Sequence, residues 1–327
     1  MKVAFLVLNH RGPRQLIRLL TTLRSQLPES PIVVHHDNFH GDLPQAPFEA
    51  IGDVHLLASG KPVTWGHSGI ADVTCWSLAW MQEHIEFDWV VVLSAQDYPI
   101  KPLADLADDL ARDDADAVFA AVQIDHLKPM HRMVMRRRYF FKYRLMAASP
   151  PSWLPEGVRA AISAGMKLST LVLNNLQPMF KIYMLPDKTQ YLFGRRARNT
   201  PFGGGWNCWY GSSWFALSQG ALKNMLHYMA DNPKYVDYCR TTMHSDESML
   251  VTLALNLPDL RIANRQITHT RWKSSRTNHP DTFQLTDFGE LAAAPQYFAR
   301  KFDIDTDAAI LDALDKFIGQ PVASDDN

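Results

Sequence analysis

One stretch restricts this chain more than any other: DWVVVLSAQDYPI, residues 88–100. Trp89 to Leu93 are apolar without alternation, the pattern of a strand covered on both faces, as in a parallel sheet flanked by helices. Ser94, Gln96 and Asp97 arrive where such a strand would end, and Pro99 biases Tyr98 towards extended backbone. Ligands of open α/β sheets bind at the carboxyl ends of the strands, which makes Asp97 a candidate site residue. An Asp that merely ends a strand in a turn would look the same.

The preceding residues fit the same sheet. Val3 to Leu8 form a short apolar run, and Leu16, Leu19, Leu20, Leu23 and Leu27 recur at helical spacing before Pro28. Ile32 to Val34 give the next strand, ending in His35-His36-Asp37-Asn38. Strand, helix, strand predicts a right-handed βαβ unit, which brings Asn9-His10 and His36-Asp37 to one sheet edge. VTWGHSG at 63–69 offers Ser68 or Thr64 as a cap for a helix with Ile70, Val73, Trp76 and Trp80 on one face. An acidic helix over Leu103–Asp113 and a strand over Ala117–Val122 follow the central run. No GxGxxG or GxxxxGK[ST] loop occurs, so neither a dinucleotide fold nor a P-loop is supported.

From about residue 125 to 200 the character changes. Arg136-Arg137-Arg138, Lys142, Arg144 and Arg195-Arg196 alternate with Tyr139, Phe140, Phe141 and Tyr143, prolines interrupt at 150, 151 and 155, and Ala160–Leu173 suggests an amphipathic helix. The expected division is an N-terminal half of a doubly wound nucleotide-binding sheet at 1–124, a basic aromatic insertion at 125–200, and a C-terminal half at 201–327. The insertion reads either as a solvated segment with its aromatics packed on the sheet, or as a surface for anionic lipid. The whole chain, at a net charge of -1, has no global attraction to nucleic acid. Three widely spaced cysteines form neither a disulfide framework nor a CxxC metal site, and the N-terminus lacks the pattern of a signal peptide or membrane span. The expected location is cytoplasmic, with peripheral contact at the inner membrane face through the insertion.

In the last third, Trp206 and Trp214 lie in glycine-rich, aromatic loops whose flat faces suit stacking on sugar rings, although packing alone would also explain them. A helix is expected over Gly220–Ala230. HSDESMLVTLAL at 244–255 reads as a cap and helix, with Ser245 or Asp246 capping and Glu247 in the first turn. In YFARKFD at 297–303, Arg300 and Lys301 sit between aromatic anchors, as expected of an anion site.

Six of these strings occur in one family order: VHHD at 34–37, VTWGHSG, LSAQDYPI at 93–100, GSSWFAL at 211–217, HSDESML at 244–250 and YFARKFD. The chain resembles the core-2/I-branching β-1,6-N-acetylglucosaminyltransferases and the related peptide O-xylosyltransferases, glycosyltransferase family 14, with the xylosyltransferase branch the nearer. The resemblance implies a GT-A-type α/β fold with a mostly parallel sheet, its nucleotide-sugar-binding half at 1–124 and its acceptor half, with a C-terminal phosphate-binding segment, at 201–327. It also implies inverting transfer from a UDP-sugar to a glycan or lipid-linked glycan hydroxyl, with no metal and no other cofactor. Ala95-Gln96-Asp97 stands near where most GT-A enzymes carry Asp-any-Asp. Basic side chains can neutralise a departing diphosphate as a cation would, and Arg300 and Lys301 match the family's phosphate-binding pair. Asp37 matches the nucleoside position; Asn9, His10 and Trp65 complete the expected donor residues. Trp206, Trp214 and Asp246 are the expected acceptor residues. Glu247 matches the base of the N-acetylglucosaminyl branch and Asp97 that of the xylosyl branch; Glu247 is assigned first, with the reverse left open. Membrane anchors and abundant cysteines, common in eukaryotic relatives, are absent from this sequence, and His67 replaces a common glycine. Two other classes compete: a sugar-binding protein without catalysis, and a metallohydrolase using His35, His36, Asp37, His244 and Asp246.

Overall fold

The central apolar run occupies the middle of the sheet, and its lack of alternation has a direct cause. In the computed structural model, which describes residues 1–64, 66–147, 153–185, 190–272 and 280–319, every residue of Trp89–Ser94 is buried. Trp89, Val91 and Leu93 face one core and Val90 and Val92 the other, so both faces must be apolar. Each such side chain contributes roughly 1.5–3 kcal/mol on burial.

The chain begins β1 (Val3–Asn9), α1 (Pro13–Gln26), β2 (Ile32–His36), α2 (Ala46–Ile51), β3 (Val54–Leu57), α3 (Gly69–His84) and β4 (Trp89–Ser94). It continues through β5 (Asp97–Pro99), α4 (Leu103–Arg112), β6 (Ala117–Val118), β7 (Ala121–Gln123), α5 (Pro129–Tyr139), β8 (Phe141–Ala147) and α6 (Glu156–Asn175). Next come β9 (Phe180–Met184), β10 (Gln190–Arg196), β11 (Trp209–Gly211), β12 (Ala216–Ser218), α7 (Gln219–Asp231), α8 (Pro233–Arg240) and α9 (Met249–Asn256). The last elements are β13 (Ile262–Ala263), β14 (Thr268–Thr270), α10 (Phe288–Ala293), β15 (Phe298–Arg300) and α11 (Ala309–Ile318).

The main sheet has seven strands in the order β13-β6-β12-β4-β1-β2-β3. Only β12 runs against its neighbours, so the mixed α/β architecture with a mostly parallel sheet is the expected one. Helices α1, α4 and α11 cover one face and α3, α7 and α9 the other. Asn9 pairs in register with His36, so the two polar strand ends do meet on one edge. A second, three-stranded sheet, β14-β15-β5, sets Arg300 opposite Asp97.

Three local expectations are corrected. Ala117–Val122 is not one strand: β6 joins the main sheet, while β7 pairs with β11. The Asn264 amide takes both backbone groups of Ala121 (2.9 and 3.0 Å), which ends the ladder with β13. The buried face of α3 is Ala71, Val73, Thr74, Ser77, Leu78 and Met81, with Trp76 exposed and edge-on to His35. Trp80 is only partly buried against the same core and stacks on His84. Neither proposed cap bond forms: Ser68 stands at the cap position but its hydroxyl meets His67 Nδ1 at 3.4 Å and caps no helix N–H, and Gly69 packs where a Cβ would lie 2.6 Å from Thr64 N.

The insertion aromatics build their own small cores, not a layer on the main sheet. Phe141 and Tyr143 pack with Leu185 and Leu192, and Tyr139 packs with Ile124, Met135 and Cys208. The antiparallel sheet β8-β10-β9 and the helix α6 complete the segment. Among the described residues no helix is long and apolar enough to cross a membrane.

Candidate active site

Asp97 is fully buried at the end of the central strand, with both oxygens engaged. The Ser94 N–H donates to Oδ2 at 2.9 Å and Arg300 Nη1 donates to Oδ1, also at 2.9 Å. Burial pushes this carboxyl above the usual range, opposed by Arg300 and the Ser94 N–H. The Arg300 guanidinium also stacks on Trp214, 4.6 Å from the ring centre. Trp214 therefore presents at least one face to a cation instead of to a sugar.

Ser213, next to Trp214, carries the chain of contacts onward. Its hydroxyl donates to Asp246 Oδ2 at 2.7 Å, and Glu247 follows directly. Gly211, which opens this loop, sits where a Cβ would collide with the Ala120 carbonyl oxygen, so β7 and β11 could not approach as they do with any larger residue. The expected cap does not form here. Ser245–Glu247 is a separate 3-10 turn, entered through a left-handed His244 (φ +48), and α9 starts only at Met249. Ser213 takes the Asp246 side chain that the local pattern assigned to capping, and the Ser245 hydroxyl is buried without capping the turn.

Glu247 points to Arg138 of the insertion, which donates from Nη1 to Oε2 at 2.7 Å. About a third of the Glu247 side chain is exposed (32%), in contrast to Asp97. Burial is the main cause that pushes its carboxyl up to about 7, with Asp246 adding and Arg138 opposing. Asp246 is also raised, chiefly by burial. His244 is pushed down to about 3 by burial and by Arg138, so it is neutral at pH 7. The His244 backbone N–H donates to the carbonyl of Gly66, whose φ of +83 favours glycine, tying the VTWGHSG loop to the turn.

The remaining expected residues divide. Asn9, buried, meets His36 Nδ1 at 3.0 Å and holds both backbone groups of Arg11. The Asp37 carboxylate accepts from the Phe39 and Val63 N–H groups at 3.2 and 3.0 Å, which shapes the loops at the β1–β2 edge. His10 is exposed at the end of β1, and Trp65 lies outside the described residues. Lys301 is half-buried, and its ammonium pKa is lowered by burial first and then by Arg11 and Arg300. Arg11, absent from the sequence expectations, pairs with Asp303 at 2.8 Å. Its place just after Asn9-His10 was the available signal. Trp206 stands apart, stacked on Tyr228 and edge-on to Tyr235.

Asp97, Arg300, Trp214, Ser213, Asp246, Glu247 and Arg138 thus form one connected series, with the buried Asp97–Arg300 pair at one end and the partly exposed Glu247, held by Arg138, at the other. Such an arrangement can neutralise an anionic leaving group and accept a proton. The metal-ligand set proposed from sequence does not converge. His35 and His36 are successive strand residues on opposite faces, and His36 uses both ring nitrogens, on Asn9 and the Gly41 carbonyl. Among the described residues no group of three or more His, Cys, Asp or Glu is arranged to hold a metal.

The model of the family described as Core-2/I-Branching enzyme matches residues 3–146 and 196–293. A β-glucuronosyltransferase of Arabidopsis thaliana, GlcAT14A, is 24% identical over 96% of this chain, which spans 63% of that protein's length. Among solved structures, the galactosyltransferase LgtC with donor and acceptor sugar analogues aligns over 100% of this chain and 98% of its own, at 13% identity and a TM-score of 0.41. The S. aureus TarS fragment 1–349 with UDP-GlcNAc aligns over 36% of this chain and 33% of its own, at 16% identity and a TM-score of 0.28.

Proposed function

Because the chain belongs to the core-2/I-branching enzyme family of glycosyltransferases, we propose that it is an inverting, metal-independent enzyme moving a sugar from a UDP-sugar to a hydroxyl of a glycan or lipid-linked glycan. The family resemblance favours GlcNAc or xylose as the sugar, and the plant relative's name adds glucuronic acid. Work in the cytoplasm, at or near the membrane face, is part of the same reading.

In the proposed reaction Glu247 accepts the acceptor hydroxyl proton as that oxygen attacks the anomeric carbon. The bond from that carbon to the diphosphate oxygen breaks with its electron pair, and UDP leaves from the opposite face. Arg300 and Lys301, with Arg11 beside them, offset the developing diphosphate charge. Asp97 fixes Arg300, and Asp37, Asn9 and His10 form the nucleoside end. The observation that carries this reading is the engagement of both Asp97 oxygens, which leaves Glu247 as the accessible carboxylate of the series. A screen of UDP-sugars by thermal stabilisation, followed by a transfer assay in excess EDTA, tests it. Stabilisation by one UDP-sugar and transfer surviving chelation are expected. Transfer lost in EDTA and restored by manganese would overturn the metal-free scheme, and binding without any transfer would leave a sugar-binding protein.

A base works only when ionised, so the pKa of Glu247 fixes the acid limb of the rate profile. With that carboxyl near 7, kcat/KM should fall as the pH drops below about 7, not near the ordinary glutamate value. Arg138 lowers this pKa, so Arg138→Met should move the acid limb to higher pH. An acid limb that stays in place or moves down in a pH series on both forms would remove Arg138 from this role.

A further inference from the structure

A cavity lies in the insertion, lined by residues to which the reaction above assigns nothing. It is a groove of about 770 Å³ between α5, the end of α6 and the sheet of β8, β9 and β10. Arg132, Arg136, Arg137, Lys181 and Arg196 line it, and no carboxylate does. Asp125 reaches Arg136 at 2.9 Å, but both side chains are half exposed, and such a pair is worth little in water. Lys181 is buried and donates to the carbonyls of Asn174 and Gln177 at 2.9 Å each, closing the α6 end. The other four cations are arginines, of which Arg132 donates to the Asp125 carbonyl at 3.2 Å and Arg137 to the Tyr183 hydroxyl.

A basic last turn of α5 would be explained by the helix dipole alone. That account does not cover Arg132, one turn earlier, or Arg196, which comes from β10. Arg132 and Arg136 stand four apart, where like charges repel across a helix face, and among the described residues the half-exposed Asp125 is the one carboxylate paired with either. The groove is not purely polar. Met133, Phe140 and Leu176 also line it, with Leu176 mostly exposed and Phe140 beneath the Arg136 guanidinium at 5.2 Å. Arginines beside uncovered apolar side chains match a ligand with a phosphate at one end and hydrocarbon at the other.

We propose that this groove binds a phosphate-bearing amphiphile, its phosphate among Arg132, Arg137 and Arg196 and its apolar part on Met133, Phe140 and Leu176. The site is separate from the Arg300–Lys301 pair, which belongs to a different sheet, and it holds whichever sugar the enzyme moves. The phosphate could come from a bilayer headgroup or from a single lipid-linked molecule.

Sedimentation with phosphatidylcholine vesicles, with and without phosphatidylglycerol, probes the first source; titration with monomeric dihexanoyl phosphatidylglycerol probes the second. Binding that weakens with rising salt is expected in one arm or both, and the responding arm names the source. Arg132→Gln/Arg196→Gln should weaken it by about tenfold or more, since each cation near an anionic surface contributes on the order of 1 kcal/mol. Arg112→Gln, an exposed cation on α4, should leave it unchanged. Circular dichroism checks that each variant is folded. If the double variant does not fold, competition by inorganic pyrophosphate against the unmodified chain replaces it, with displacement expected. No binding in either arm at low salt, equal loss in the Arg112 control, or failure of pyrophosphate to compete would each overturn the proposal.

Discussion

Glu247→Gln is expected to lower kcat by at least about 10²-fold, within the roughly 10²–10⁴-fold range of general-base catalysis. The amide keeps the size of the side chain and can still accept from Arg138, but it cannot take a proton at neutral pH. Affinity for UDP should change little, because the cations Arg11, Arg300 and Lys301 lie at the other end of the contact series. Single-turnover rates and UDP titration on the same preparation separate these effects. A variant whose KM rises while kcat holds would make Glu247 a binding residue. The base would then have to be sought elsewhere, with Asp97 the first alternative.

The second large effect concerns stability. Arg300→Met leaves the fully buried Asp97 carboxylate without its counter-charge, and breaking a buried ion pair from one side costs about 3–5 kcal/mol. The pH dependence has a definite sign. An uncompensated buried carboxylate has a folded pKa above its unfolded value, so over that interval the folded state binds the extra proton. The penalty is therefore largest at high pH and shrinks as pH falls through the folded pKa. Urea midpoints for Arg300→Met and the parent should converge on acidification. Asp97→Asn/Arg300→Met removes both charges and should regain most of the stability while donor affinity stays low. Asp97→Asn alone should raise the donor KM by releasing Arg300, with a smaller loss in kcat than Glu247→Gln. If the double variant is as unstable as Arg300→Met, the loss comes from the Trp214 stack or from packing, and the pair is not the cause.

How far these residues could be seen in advance depended on the range of the interactions that define them. Burial on both faces forces an uninterrupted apolar strand, so Trp89–Leu93 announced a covered parallel sheet. The 3.6-residue period of the leucines announced α1, and the βαβ rule then put Asn9 beside His36. Carboxylates after a strand and in an expected first helical turn marked Asp97 and Glu247 as candidates, and adjacent cations between aromatic anchors marked Arg300 and Lys301. Their partners were a different matter. Asp97 meets Arg300 across 203 residues and Arg138 meets Glu247 across 109, and nothing local encodes either pairing. The first depends on β5 and β15 lying side by side in one register, the second on α5 and the turn at 245–247 being brought together. Where local and distant demands competed, the distant ones prevailed: Ser245 and Asp246 have good capping chemistry, yet Ser213 takes Asp246 and the helix starts later. The arginine run 136–138 shows the same limit within three residues. Sequence marks it only as basic, whereas the helical turn of 100° per residue directs Arg138 to Glu247 and leaves Arg136 and Arg137 to the groove. Residue type and period are properties of a segment; the partner of a charge is a property of the packed molecule.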